Sequence, residues 1–190
     1  MFLGTFNNNA TPIGLKDRVM TAFVELMGRF ARCVEANDGA ALAKLFTPDG
    51  VYDDYLWGPH QGPSAIAAML KRFHEGGEHF GWEFYEALSD GRIGYARYRF
   101  SYHSRVPGSA GAPVAFEGMC RLLLKDGLIE HYTEVFDRGA AFVQLGFVPG
   151  KVARLLEKYA AAQNAQAGFQ THLTRLDAIR PRHGVDQARR

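Results

Sequence analysis

The chain has 190 residues, and its 47% hydrophobic and 22% charged residues are typical of one globular domain with an extension. The net charge is only +2, and residues 171–190 contain five Arg and two Asp, so residues 1–170 carry about −1. A folded part without a basic surface argues against nucleic acid as the main partner, and no segment approaches the ~20 consecutive apolar residues of a membrane span.

The N-terminal half of the sequence predicts helices around a single strand. Residues 1–14 form a polar leader, and from Leu15 to Val34 apolar residues recur every three or four positions, as in a long amphipathic helix. Asp38 is suited to cap a short second helix, and the turn sequence "TPDG" leads into a strand, "VYDDYLWG". Pro63 suits the first turn of a third helix, which a pair of glycines ends.

The C-terminal half changes to a period of two, which predicts strands. Four such segments follow one another: "HFGWEFYEAL", "RIGYARYRFSYHS", "PVAFEGMCRLLL" and "LIEHYTEVFD". The sequences "SDG" and "KDG" are typical of tight hairpin turns. "GAAFVQLGF" then predicts a short helix, and "PGKVARLLEKYA" begins another that extends towards Pro181.

This order of elements predicts an α+β fold. A curved antiparallel sheet wraps around the long N-terminal helix and two shorter helices, as a cone with a cavity inside and an added C-terminal helix. The predicted organisation is a leader at 1–14, the cone domain at 15–148, a helical extension at 149–180 and a basic tail at 181–190.

The two cysteines, Cys33 and Cys120, lie far apart and match neither a disulfide framework nor a metal-binding pair. The N-terminus lacks the basic and apolar regions of a signal peptide. A reducing, cytoplasmic location is therefore expected, and no motif in the chain calls for a cofactor or a metal.

Three segments together resemble the nuclear transport factor 2-like superfamily, in its SnoaL-like and ketosteroid-isomerase-like branch. They are "FARCVEANDGAALAKLFTPDGVYDDY", "HQGPSAIAAML" and "DGLIEHYTEVFDRG", and the likeness covers roughly residues 16–148. The resemblance implies a cone-shaped, cystatin-like fold, a pocket for a small molecule and a homodimer formed through the convex face of the sheet. It is much less specific for activity, since one such fold hosts many chemistries.

The adjacent acids Asp53 and Asp54 raise the question of which one faces inward. Alternation along a strand places Tyr52 and Asp54 on one face and Asp53 on the other, but both faces mix apolar and acidic residues. The resemblance implies that Tyr52 and Asp54 face the cavity, because Asp54 matches the general base of ketosteroid isomerases. Both positions also match groups that place the catalytic water in limonene-epoxide hydrolases. The alternative is that Asp54 is a surface residue or a salt-bridged residue at the strand end.

The last strand supplies a second candidate acid, Glu134, which shares a face with Tyr132 and Phe136. The resemblance implies that Glu134 matches a catalytic Asp of the hydrolases, and the alternative is an edge Glu paired with an Arg. Arg99 and His103 share a face of another strand; the hydrolase comparison turns Arg99 inward and makes His103 a candidate proton carrier. The alternative leaves this face exposed or in a dimer contact.

The resemblance implies a cofactor-free lyase, isomerase or epoxide-type hydrolase for a small apolar substrate. The isomerase oxyanion donors are missing, since their positions fall at Phe30 and near Met119. The alternative function is a binding or accessory protein for a small hydrophobic ligand. The expected catalytic residues are Tyr52, Asp54, Arg99, His103 and Glu134, and the expected pocket wall consists of Phe23, Met27, Phe30, Leu56, Phe73, Tyr132 and Phe136.

Overall fold

The computed structural model describes residues 14–179, with side chains as far as residue 176. The chain divides into two units, Met1–Gly146 and Phe147–Arg190. The predicted basic tail at 181–190 lies outside the described residues, as does the leader up to residue 13. None of the described helices is long and apolar enough to cross a membrane.

The first unit alternates helices and strands as an α+β fold, which confirms the predicted class. Its elements in chain order are α1 (Leu15–Glu35), α2 (Gly39–Ala43), β1 (Phe46–Asp54), β2 (Gly58–Gln61), α3 (Gly62–Gly76), β3 (Gly77–Ser89), β4 (Ile93–Ser104), β5 (Pro113–Lys125), β6 (Leu128–Phe136) and α4 (Arg138–Gln144).

The strands form one curved, open sheet in the order β2-β1-β6-β5-β4-β3. Neighbouring strands are antiparallel except β1 and β6, which run parallel with Tyr52 opposite Tyr132. The sheet is therefore mixed, whereas the sequence predicted a purely antiparallel one. After β2 the chain passes through α3 and then forms the antiparallel strands β3 to β6. The last strand, β6, therefore lies beside β1 and runs in the same direction.

The segment "GPHQ", which the sequence analysis did not predict to be a strand, is the edge strand β2. It forms a hairpin with β1, in which Tyr52 pairs with His60 and Asp54 pairs with Gly58. Gly58 has a φ of +83°, a left-handed conformation that glycine adopts without strain. This hairpin fixes the position of the acidic pair.

Helix α1 lies against the concave face of the sheet and buries its apolar stripe there. Phe30 lies at the centre, with no exposed surface, and its ring centre is 5.1 Å from that of Tyr132 and 5.8 Å from that of Tyr52. Trp82 packs edge-on against Phe30 at 5.3 Å. These rings make one continuous aromatic core beneath the strands that carry the candidate acids.

The second unit consists of two helices, α5 (Pro149–Asn164) and α6 (Ala167–Ile179). The sequence predicted one continuous helix, but the helix is interrupted at Ala165 and Gln166. No residue of α5 is fully buried, and Leu156 is exposed.

Candidate functional site

The inward-facing acid of the pair in β1 is Asp54. Its side chain is buried, as is that of Tyr52 two residues earlier. Asp53 points to the opposite face, where its carboxylate is half-exposed and lies 3.9 Å from Nε2 of His131. This is the orientation that the resemblance implied and that strand periodicity left open.

Asp54 also has a structural function in the hairpin. Its Oδ1 accepts hydrogen bonds from the backbone N–H of Leu56 at 2.8 Å and of Trp57 at 2.7 Å, which closes the turn. Burial raises the pKa of Asp54, while these two N–H groups oppose the rise. The carboxyl group is thus held rigidly inside the fold, with Oδ1 committed to the turn.

Glu134 of β6 is the second buried acid, and two tyrosines hold it. The hydroxyls of Tyr98 and Tyr132 donate to Oε2 of Glu134 at 2.8 and 2.9 Å. Burial, and then the negative charge of Asp54, raise the pKa of Glu134 to about 8, against the opposing effect of the tyrosine hydrogen bonds. Glu134 is therefore mostly protonated at neutral pH.

The surroundings of the two acids affect their pKa values in different ways. The amide hydrogen bonds and the nearby His60 favour the ionised form of Asp54, whereas the negative charge of Asp54 favours the protonated form of Glu134. Glu134, whose pKa is about 8, can therefore donate a proton near neutral pH, and Asp54, the acid whose ionised form is hydrogen-bonded, is the candidate proton acceptor.

Tyr52 lies between the two acids and the aromatic core. Its ring centre is 4.6 Å from that of Tyr132, and its hydroxyl is buried without a hydrogen-bond partner among the described residues. Burial, followed by the charges of Glu134 and Asp54, raises the pKa of Tyr52 well above its usual value. Tyr52 is accordingly neutral, and the interaction of its hydroxyl with the Tyr132 side chain opposes the rise in its pKa.

Arg99 and His103 do not lie with the cluster formed by Tyr52, Asp54, Glu134 and the tyrosines that hold Glu134. Arg99 lies on the outer face of the sheet, where it forms ion pairs with Glu117 at 2.9 Å and Glu83 at 3.3 Å and lies over the ring of Tyr85. His103 is exposed on the same face. The inner positions of β4 are the alternate residues, and we therefore remove Arg99 and His103 from the candidate set. This is the outer-face alternative that the sequence left open.

The expected pocket wall divides into two groups. Core residues with 2% exposure or less form the first: Phe23, Met27, Phe30 and Tyr132. Half-buried residues near the hairpin form the second: Leu56, Phe73 and Phe136. Phe73 packs on Trp57 at 5.0 Å, and Phe136 packs on Tyr55 at 5.3 Å. The second group packs around the turn that Asp54 closes and is partly exposed to solvent.

A cavity of about 640 Å³ lies elsewhere, across β3, β4 and β5. Its lining consists of Glu35, Gly81, Trp82, Glu83, Arg99, Phe100, Ser101, Ala115, Phe116 and Glu117, and includes neither acid of the buried pair.

Two residues of the cluster were not expected as site residues. Tyr98 was not selected from the sequence, although its alternation with Arg99 places its side chain on the inner face, where its hydroxyl donates to Glu134. His60 was overlooked because its segment, "GPHQ", has the glycine and proline content of a loop. Side chains of a loop cannot be assigned to a face from the sequence. A third neighbour, Cys120, pairs with Glu134 across the sheet, and burial raises the pKa of its thiol to about 12.

Removal of the outer-face side chains gives a direct check of this assignment. We expect Arg99→Ala and His103→Ala to leave turnover unchanged, because both side chains are exposed and face away from Asp54 and Glu134. The melting temperature should change little, since exposed ion pairs contribute little to stability. A large loss of activity with an unchanged melting temperature in either variant would return that residue to the site.

Fold and site together define an α+β protein whose curved sheet encloses a buried pair of carboxylic acids. Residues 27–132 match the sequence profile of the SnoaL-like domain. This match covers more than half of the chain, which therefore belongs to the SnoaL-like domain family, within the nuclear transport factor 2-like superfamily. No curated protein sequence matches the chain.

Solved structures with the same fold come from several bacteria. An uncharacterised protein from Catenulispora acidiphila with a ketosteroid isomerase-like fold, in complex with trimethylamine, has a TM-score of 0.59 at 19% identity, over 65% of this chain and 94% of that one. An epoxide hydrolase of the LEH-like type from M. tuberculosis has a TM-score of 0.54 at 17% identity, over 75% and 98%. A candidate SnoaL-like polyketide cyclase from Shewanella putrefaciens has a TM-score of 0.56 at 16% identity, over 65% and 95%. The fold is thus one that small-molecule enzymes use.

Proposed function

We propose that this protein is a cofactor-free enzyme that transfers protons on a small, mostly apolar molecule, as a lyase, an isomerase or an epoxide-type hydrolase. The observation that carries the proposal is the buried pair of Asp54 and Glu134, in which two backbone hydrogen bonds favour the ionised form of Asp54 and burial raises the pKa of Glu134 to about 8. Acid–base catalysis needs a base and an acid whose pKa values suit the working pH.

Asp54 is the base in this proposal. Its fixed carboxylate removes a proton either from a carbon next to a carbonyl group or from a water molecule that attacks the substrate. Glu134 is the acid, and its proton passes to the oxygen atom on which negative charge develops, so that the enzyme as a whole keeps the same number of protons. The aromatic rings around both groups exclude water and strengthen these electrostatic interactions.

The test uses substrates of the three reaction types and the Asp54→Asn variant. Cyclic ketones in D₂O report proton abstraction by deuterium incorporation, β-hydroxy ketones report dehydration, and limonene oxide in H₂¹⁸O reports epoxide opening. We expect turnover of at least one class by the wild type and its loss in Asp54→Asn. Equal turnover by both proteins, or no turnover of any class, would contradict the proposal.

A second candidate is a binding protein for a small hydrophobic ligand, without chemistry. Two observations favour it: Oδ1 of Asp54 closes the hairpin turn, and several expected pocket residues are packed solidly in the core. Saturable binding of a ketone or an epoxide, with affinity equal in wild type and Asp54→Asn and with no turnover, would support this candidate over the enzyme.

The proposal includes a cytoplasmic homodimer, in which two copies of the chain contact each other through the outer faces of their sheets. Its support is the family resemblance, the free state of Cys33 and Cys120, and the exposed apolar side chains of Met119 and Val135, which pair across β5 and β6. We expect Val135→Glu to convert a dimer into a monomer, because the contact would bury the new charge. Sedimentation equilibrium measures this, and a wild-type monomer would contradict it.

A further inference from the structure

His60 is a half-buried ionisable residue that the proposed function does not use, and its Nε2 atom is buried. It lies on the edge strand β2 directly opposite Tyr52 of β1. Residues paired across antiparallel strands point to the same face, and Tyr52 is fully buried against Phe30. The imidazole of His60 therefore lies on the concave side of the sheet, next to the candidate site.

Two polar atoms on this pair lack a hydrogen-bond partner. The Tyr52 hydroxyl and Nε2 of His60 are both buried and unpartnered among the described residues. Native proteins rarely leave buried polar atoms in this state, unless water or a ligand completes them. Trp82 and His131 also carry such an atom, but these two are not strand partners, and His131 lies beside Asp53 on the outer face.

The charges around His60 favour its neutral form. Burial lowers the pKa of His60, and Arg72 of α3 acts in the same direction, while Asp54 and Asp53 of β1 oppose it. A neutral imidazole has one N–H, and a neutral tyrosine has one O–H. The pair can thus present two donors without adding a positive charge that would neutralise Asp54.

We propose that His60, through Nε2–H, and Tyr52, through its hydroxyl, together hold the oxygen atom of the substrate beside Asp54. The inference rests on the proposed function and adds the substrate class to it: a neutral molecule with a carbonyl, epoxide or hydroxyl oxygen. Two donors aimed at one oxygen stabilise the negative charge that develops there when Asp54 removes a proton. They supply what the residues at the isomerase donor positions, Phe30 and Met119, do not.

The variants His60→Leu and His60→Gln separate hydrogen bonding from packing, with Gln61→Leu as the control. Leu removes the donor, whereas the amide of Gln restores an N–H near the position of Nε2; Gln61 lies on the opposite face and bonds Asp49. We expect His60→Leu to lower kcat/KM by about 10²–10³-fold, mainly through kcat. His60→Gln should recover most of this loss, and Gln61→Leu should show none.

A spectroscopic readout tests the same hydrogen bond without turnover. The probe is cyclohexanone labelled with ¹³C at its carbonyl, whose resonance moves downfield when the oxygen accepts hydrogen bonds. We expect a downfield shift on binding to the wild type, a smaller shift with His60→Leu or Tyr52→Phe, and an unchanged shift with Asp54→Asn. An equal shift in His60→Leu, or wild-type kcat in that variant, would overturn the inference.

The design distinguishes this inference from the proposed function. If Asp54→Asn loses turnover while His60→Leu keeps it, only the oxygen subsite is wrong. If Asp54→Asn keeps full turnover, the proposed function itself is wrong. Should His60→Leu fail to fold, ¹⁵N spectra of the wild type decide: addition of cyclohexanone, limonene oxide or cyclohexanol must shift the Nε2 resonance of His60. No response to any of the three overturns the inference.

Discussion

Asp54→Asn is expected to lower turnover by about 10²–10⁴-fold while the protein keeps its fold. The amide oxygen of asparagine can accept the same hydrogen bonds from the backbone N–H of Leu56 and Trp57, so the hairpin turn survives. The amide cannot accept a proton, so the base is lost. Steady-state kinetics on whichever substrate class responds, together with thermal unfolding, measure both effects.

Two further variants make this result specific. Asp54→Ala removes both turn hydrogen bonds and should reduce stability by about 1–3 kcal/mol in addition to abolishing turnover. Asp53→Asn changes the neighbouring, half-exposed acid and should leave turnover unchanged. If Asp54→Asn were as active as the wild type, Asp54 would be a turn residue only. If Asp53→Asn were the inactive variant, the assignment of the two acids would be reversed.

Glu134→Gln is expected to stabilise the protein at alkaline pH relative to the wild type. The pKa of Glu134 rises from about 4.5 in the unfolded chain to about 8 in the folded protein. Its favourable contribution is fully present below pH 4.5 and is lost as the pH rises to 8, because the unfolded chain ionises first. Since each pH unit corresponds to about 1.4 kcal/mol, the loss approaches about 4–5 kcal/mol.

Urea unfolding at pH 5 and pH 9 measures this difference. Glutamine cannot ionise, so the free energy of unfolding of Glu134→Gln should fall less than that of the wild type between the two values. Activity provides a second readout, because kcat/KM of the wild type should decline above pH 8 as Glu134 loses the proton it donates. Parallel pH dependence of stability in the two proteins would show that Glu134 is ionised in the folded state at neutral pH.

Most of the fold could be predicted because its elements have a clear period. The stripe from Leu15 to Val34 and the alternation of the later strands determine the faces that are buried. The parallel pairing of β1 with β6 could not be read in this way, since the period of a strand carries no information about its neighbour. The edge strand β2 was likewise hidden, because four residues with a glycine and a proline show no period at all.

Part of the candidate site could be predicted, because the resemblance indicated which face of β1 points inward, and strand alternation alone did not. Tyr52, Asp54 and Glu134 lie together on the concave face. The resemblance misled for Arg99 and His103, because plain alternation already places their strand face in solvent and Tyr98 inside. His60 reaches the cluster through hairpin pairing, a tertiary relation that no local pattern contains.

A ¹³C titration of the side-chain carboxyl groups tests the central claim most directly. The claim is that one acid of the buried pair keeps its proton while the other has lost it near neutral pH. We expect the carboxyl carbon of Glu134 to titrate near pH 8, and that of Asp54 at a lower pH, because two backbone hydrogen bonds favour its ionised form. Titration of Glu134 below pH 5 would contradict the account, because the site would then hold two carboxylates and no acid.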